Sequence, residues 1–504
     1  MRKLVRATLA AAVLVLPLLP AAPAVAASAD VRWRGYQIDV VDNAAGHWVG
    51  GRSFAGRPAY RLDPRATPST SGFGTPFAVE ELNGSGPVTV TPRLTARAAW
   101  ILSKYGTYPD ATQAAAVDIA TYHLLHGGAY ALSGTRTAQR LGDSGHGADI
   151  RALATTMLRT SKTYAGPYRV TVDAHGTVVG GQVPVTVRVV ATRTGAGIEK
   201  LPVALSFAGA PAIGLVTGAN GVATTSFPTA RAGELPLVVK VDRLPETRLL
   251  VRRPTTAGAS RIATAGVKSS RTLSSTVPVQ AVPTVAAASS ASPINVGQYA
   301  AGTFTVAGSF GTVARTASTS LHGPFPDWAS ASCSPATAVS THTRTVTNGS
   351  YRLPSYKVSR YGLYVWRVVV AGDRLNTAAA TCGAGTRVRT VPSASAKARF
   401  GSYSVGSNVR AEVTVGRLPA GYTGTATVKL YGPFTSLDNV SCPSTKVVRE
   451  VELPLTGNGT TLAPQVTLNR AGYYTWRVRV PASFFSAPVV SPCEGSGSTF
   501  RMIS

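Results

Sequence analysis

From about Tyr168 onward the chain is written with a period of two. Val183, Val185, Val187 and Val189 alternate with Pro184, Thr186 and Arg188, and Ala411, Val413 and Val415 alternate with Glu412 and Thr414. Successive side chains of a strand point to opposite faces, so each run predicts a strand with one buried face. Tyr474, Trp476 and Val478 share such a face, and Trp366 and Trp476 read as core residues of two-sheet sandwiches. Residues 31–165 follow a helical period instead. Thr91-Pro92 opens a run over 93–105 with Leu94, Ala98, Ile101 and Leu102 on one stripe, and Pro suits a first helical turn. Asp110 caps a second helix with Gln113 as its capping-box partner. That helix has Ala114, Val117, Ala120, Leu124 and Leu125 on its buried face, and Gly127 and Gly128 end it. A third is expected over 147–163, striped by Ile150, Leu153, Met157 and Leu158. The predicted fold is multidomain and mainly β: an α+β N-terminal head followed by three immunoglobulin-like β-sandwiches.

An internal repeat divides the last third. Leu321-His322-Gly323-Pro324-Phe325 returns as Leu430-Tyr431-Gly432-Pro433-Phe434, and the run from Tyr361 to Val368 returns as Ala471 to Val478. The four cysteines follow the same register, Cys333 with Cys442 and Cys382 with Cys493. A bond inside a module survives duplication, whereas a bond between modules needs a second geometry. The expected pairs are therefore Cys333–Cys382 and Cys442–Cys493, forming β-sandwich repeats over 282–390 and 391–504. No C-x-x-C spacing supports metal at these cysteines.

The chain begins with Arg2, Lys3 and Arg6, an apolar run over 9–19 and Ala24-Val25-Ala26, the pattern of a secretory signal over 1–26. No segment is apolar for long enough to predict a transmembrane helix. The sequence stops at Phe500-Arg501-Met502-Ile503-Ser504 without an LPxTG-like motif, so covalent wall anchoring is not expected. The expected location is extracellular, released or held non-covalently at the wall. Among 504 residues, 50 Lys+Arg stand against 22 Asp+Glu, a formal charge of +28. Outside the cell this points to anionic cell-wall polymers or another surface ligand and away from nucleic acid. The alternative is that the arginines reflect solubility and genome composition. So few acids disfavour multi-calcium chemistry, and no cofactor is expected.

Three resemblances follow from the motifs. The stretch Thr217-Gly218-Ala219-Asn220-Gly221-Val222-Ala223, with Asn220-Gly221 as a turn between extended runs, resembles the motif of bacterial invasin-type immunoglobulin-like domains. That likeness implies a spacer over 168–254. A Ser/Thr/Ala-rich stretch over 255–281 then reads as a flexible linker. The cysteine-bearing pair over 282–504 resembles a secreted actinobacterial β-sandwich repeat. Finally, residues 98–106 followed by Asp110-Ala111-Thr112-Gln113 and on to Tyr122 resemble the helical heart of the thioester domains of Gram-positive surface adhesins. In that family a Cys on an early strand and a Gln on such a helix condense to a thioester that reacts with amines. Here Tyr36-Gln37-Ile38-Asp39 stands at the strand, Gln113 at the Gln position, and no cysteine precedes Cys333.

The resemblance therefore implies a scaffold without covalent chemistry, with Tyr36, Gln37, Asp39 and Gln113 lining a residual pocket. Amides of Gln37 and Gln113 bonded to each other or to backbone would satisfy that pocket. The expected function is non-catalytic adhesion or a structural role at the cell surface. The rival is a secreted hydrolase using His123, His126, His47 and Asp118, with metal or as general acid and base. His123 and His126, at i and i+3, are the metal candidates, with His47 and His146 available in the same domain for a site of two or three, although no H-E-x-x-H occurs.

Overall fold

The computed structural model describes residues 31–39, 47–82 and 89–504, so the signal sequence over 1–26 lies outside the described residues. The chain divides into two compact units. The first is residues 1–175, 183–227 and 236–277, and the second is mainly residues 278–504. No described helix is long and apolar enough to cross a membrane.

The head opens with β1 (Val31–Gln37), β2 (Trp48–Phe54), β3 (Arg57–Arg61) and β4 (Phe77–Val79). Four helices follow, α1 (Pro92–Tyr105), α2 (Ala111–Leu125), α3 (Thr135–Asp143) and α4 (Gly147–Tyr164). The caps form as the sequence implies. Thr91 accepts the Leu94 N–H, and Asp110 accepts the Gln113 N–H at 2.7 Å. Gln113 does not complete a capping box, because the Asp110 N–H that its side-chain oxygen would accept donates instead to the Tyr108 carbonyl at 2.9 Å, while the Gln113 amide nitrogen donates to the Tyr105 carbonyl. Nor does α2 bury a single stripe: eleven of its fifteen residues are buried, Asp118 and Thr121 among them. Its run of alanines lets the sheet pack on one side and α1 and α4 on the others. On α4, Ile150, Met157 and Leu158 are buried as expected, but Leu153 is exposed and Ala154 takes the inward place.

Next come β5 (Tyr168–Ala174), β6 (Thr177–Val178), β7 (Gln182–Ala191), β8 (Pro202–Phe207), β9 (Ile213–Val216), β10 (Val222–Pro228) and β11 (Gly233–Pro245). The valines of β7 are all buried. The Asn220-Gly221 turn forms, with Gly221 at φ 74°, but β9 and β10 do not pair. They belong to opposite sheets of an immunoglobulin-like sandwich, ordered β10-β7-β5 and, with β14 (Lys268–Gln280), β6-β14-β11-β8-β9. Thr217 of the invasin-like motif is buried beside that crossing. Its hydroxyl donates to the Ile198 carbonyl and accepts the Leu201 N–H.

The expected flexible linker over 255–281 is instead built into two sheets. Between β11 and β14 the chain returns to the head as β12 (Leu249–Arg252) and β13 (Ile262–Thr264), giving the six-stranded order β1-β2-β3-β13-β12-β4. Ile262 pairs with Arg61 and Leu249 with Val79, so β4 is joined to the rest of the sheet through β12. Leu249, Val251 and Ala263 lie in the same core as α1, α2 and α4. Arg261 locks the return with a two-pronged ion pair to Asp63, at 2.9 and 2.6 Å. Composition misled here because a short strand between two neighbours needs few apolar residues to bury its face: Leu249 and Val251 of β12 and Ile262 and Ala263 of β13 are the buried ones.

The second unit contains two sandwiches of one plan. Arg315–Phe325 pairs with Gly362–Val370 in the first and Gly424–Phe434 with Gly472–Val480 in the second, with Leu321 opposite Trp366 and Leu430 opposite Trp476. Both tryptophans are fully buried. Disulfides join Cys333 to Cys382 and Cys442 to Cys493, the pairing that the repeat implies. The molecule is thus mainly β and multidomain, with an α+β head and three immunoglobulin-like sandwiches.

Candidate functional site

The residues of the thioester-like motif are placed by β1 and the first turn of α2. Tyr36 is half-buried, its hydroxyl 2.7 Å from Thr112 Oγ1 and its ring stacked on His146 at 4.2 Å. Successive strand residues face opposite ways, so the Gln37 side chain turns from α2; it is exposed and accepts a hydrogen bond from Arg32. The Gln113 amide donates to the Tyr105 carbonyl at 2.9 Å. The structure therefore does not bring the two amides together; Gln113 bonds backbone and Gln37 bonds a side chain. Asp39 is exposed. Thr112 and His146 are the unforeseen members of this group.

Beneath it lies a buried ionic cluster. Asp118 of α2 accepts from Arg140 Nη2 at 2.5 Å and from the Gly50 N–H at 3.2 Å, with both charged side chains almost fully buried. The guanidinium lies 4.9 Å from the centre of the Tyr122 ring. Gly50 faces Gly35 across β1 and β2, and a Cβ on either would come within 2.3 Å of the opposing carbonyl oxygen, so this approach needs glycine at both positions. Burial and the Asp118 charge push the Tyr60 and Tyr122 hydroxyls well above the usual phenol range. The carboxylate has thus found a charge partner and a backbone donor, which a buried charge requires. Arg140 escaped the periodicity reading because α3 shows no apolar stripe; its buried residues are Thr137, Arg140 and Leu141.

The histidines are taken up locally. His126 Nε2 donates to the Leu62 carbonyl at 2.5 Å, and His123 Nδ1 accepts the Leu132 N–H at 3.1 Å. Burial lowers the pKa of both; for His126 the Leu62 hydrogen bond opposes the shift, and for His123 the Arg97 charge adds to it. His47 sits in the turn before β2. The residues of the hydrolase reading thus have separate partners: Asp118 is held by Arg140, and each helix histidine by backbone. Among the described residues no group of three or more His, Cys, Asp or Glu is placed to hold a metal ion.

Two clefts are more open to a ligand. In the first unit, a cleft of about 560 Å³ lies between α1 and α4 on one side and the immunoglobulin-like sandwich on the other. Trp100, Tyr105 and Tyr164 contribute aromatic surface, and Lys104, Lys200, Arg243 and Lys268 contribute charge. In the second unit, a cleft of about 850 Å³ between the two repeats is lined by Phe325, Tyr361 and Phe485 with Arg360 and Arg417. The Tyr361 hydroxyl accepts the Ala420 N–H at 2.9 Å across it.

No family model matches the chain, and no curated protein matches it. Solved structures with some likeness include a three-domain immunoglobulin fragment from the I-band of titin, at 12% identity and TM-score 0.35, covering 65% of this chain and 96% of that one. The Escherichia coli adhesin FdeC is 16% identical with TM-score 0.26, covering 64% and 96%. Invasin, a bacterial integrin-binding protein, is 12% identical with TM-score 0.26, covering 67% and 60%.

Proposed function

We propose that this is an exported, non-catalytic protein of the cell surface or wall, whose thioester-like head holds surface polymers by charge and shape and forms no covalent bond. The observation that carries the reading is the state of the motif. Residues 1–332 contain no thiol, Gln37 stands at the nucleophile's place bonded to Arg32, and the Gln113 amide is bonded to backbone. An acyl transfer onto a thiol has no acceptor here. Two disulfides within small sandwiches fit an oxidising compartment outside the cytoplasm. The surplus of cations over acids supplies long-range attraction to anionic wall polymers, and the sandwiches supply a rigid mount for it.

Binding of the purified protein to isolated cell walls, titrated with salt, tests this. Attraction between exposed charges is screened within about 8 Å at physiological ionic strength, so retention should fall steeply as salt rises. Incubation with a small primary amine should leave the intact mass unchanged. An amine adduct in the head would sink the non-covalent reading, and failure to bind walls at low salt would sink the polyanion reading.

A further inference from the structure

The cleft between the head helices and the immunoglobulin-like sandwich combines features that a general surface charge does not explain. Four cations, Lys104, Lys200, Arg243 and Lys268, line it against one carboxylate, Glu199. The C-terminal ends of α1 and α4 lie on its helical side, and their partial negative charge disfavours anions; the cations reverse that sign. Lys200 and Arg243 also occupy left-handed backbone, at φ 60° and 59°, a conformation that favours glycine. Such positions mark places where a side chain is kept despite local strain. The Lys200 side chain is 80% exposed and its ammonium only loosely paired with Glu199 at 3.7 Å, so it can meet a ligand.

The helical wall carries the aromatic rings. Trp100 stacks on Tyr164 at 6.4 Å and meets Tyr105 edge-on at 5.7 Å, and Tyr164 is 39% exposed. A volume near 560 Å³ falls within the roughly 300–1,000 Å³ usual for clefts that take small ligands. Because β12 and β13 tie the sandwich into the head sheet, both walls are fixed before any ligand arrives, which lowers the entropy lost on binding. Lys200, Arg243 and Lys268 on the sandwich side, facing the rings on the helical side, match a ligand with a flat apolar face and an anionic substituent.

We infer that this cleft binds an anionic carbohydrate, a sugar ring carrying a carboxylate or a phosphate, its C–H face on Tyr164 and its anion on Lys200 and Arg243. The inference rests on the polyanion-binding reading above and gives it a location. The experiment is calorimetric titration of the full mature chain with trigalacturonate and with a hexose phosphate, which separate the carboxylate and phosphate sources. Cellotriose serves as a neutral reference and inorganic phosphate as a sugar-free one. Lys200→Gly with Arg243→Gly should weaken binding of the anionic sugars roughly tenfold or more, without lowering the melting temperature, since glycine suits both backbone positions. Tyr164→Ala should weaken the sugar ligands and leave the response to inorganic phosphate unchanged.

The inference fails if cellotriose binds as well as trigalacturonate, or if inorganic phosphate binds as tightly as the hexose phosphate. It fails equally if Lys357→Gln with Arg449→Gln, two exposed cations of the second unit, weakens binding as much as the cleft pair. Wall binding that survives in the cleft variants overturns the location alone. Absence of wall binding in the unaltered chain overturns the general reading with it.

Discussion

Removing β12 and β13 from the head should unfold it, although both strands follow the immunoglobulin-like strands by which the head would ordinarily be taken to have ended. A fragment over 31–165 retains α1 to α4 and β1 to β4 but loses the two strands between β3 and β4. Leu249, Val251 and Ile262 are each no more than 1% exposed. Burying such a side chain stabilises by about 1.5–3 kcal/mol, so the three together contribute roughly 4.5–9 kcal/mol. The fragment also loses the Asp63–Arg261 pair and leaves the edges of β3 and β4 unpaired. Domain stabilities lie at about 5–15 kcal/mol, so the loss takes most or all of the available stability. Circular dichroism and heteronuclear NMR should show 31–165 without a cooperative melt or dispersed amide signals, and 31–280 with both. In the intact chain, Val251→Asp should lower the first unit's melting transition sharply. A fragment 31–165 that melts cooperatively would refute the reasoning, because it would mean the head's core closes without its central strands.

Arg140→Met leaves the Asp118 carboxylate buried without its charge partner and should destabilise the first unit by about 3–5 kcal/mol; Asp118→Leu with Arg140→Met should recover most of this in denaturant titrations, and no recovery would mean that the pair is not the cause. Cys333→Ser with Cys382→Ser opens a loop of 49 residues and should cost the first repeat about 4 kcal/mol, read as a denaturation midpoint that no longer responds to reductant. Burial holds the pKa of His123 and His126 below 6.5, so below that pH the unfolded chain binds more protons than the folded one. Stability is therefore full above about pH 6.5 and lost as pH falls toward the lowered values, by at most about 1.4 kcal/mol per unit for each histidine. His126→Gln should flatten the dependence of the melting temperature on pH below 6.5, and an unchanged slope would clear His126 of the effect. Thr217→Val removes a donor and an acceptor at the sheet crossing and should destabilise the sandwich by about 1–3 kcal/mol, measured against Thr425→Val in the second unit as an external reference.

What the chain order alone settled rests on short windows and on the internal repeat. The β7 valines announce a buried face, Thr91 and Asp110 announce helix starts, and the turn at Asn220-Gly221 needs its glycine. The duplicated cysteines fix their partners because a repeat carries its geometry with it. The absence of a thiol before Cys333 rules out an internal thioester in the head, whatever its shape. Periodicity states which side of an element is buried but not against what, and here tertiary structure took over. The β13 residues read as linker and those of β12 as part of the spacer, because their partners, β3 and β4, lie roughly 170 to 200 positions back in the chain. Gln37 and Gln113 looked like a pair, but the pleat of β1 sends one amide outward while the other finds the Tyr105 carbonyl. Arg140 and Asp118 could be matched only once α3 had docked, because a buried charge is identified by its partner and not by its neighbours in sequence. The basic cleft is likewise a product of packing. Its cations and aromatic rings lie on segments spread over 100–268, and the return of the chain through the head sheet brings the sandwich cations to face the helical rings.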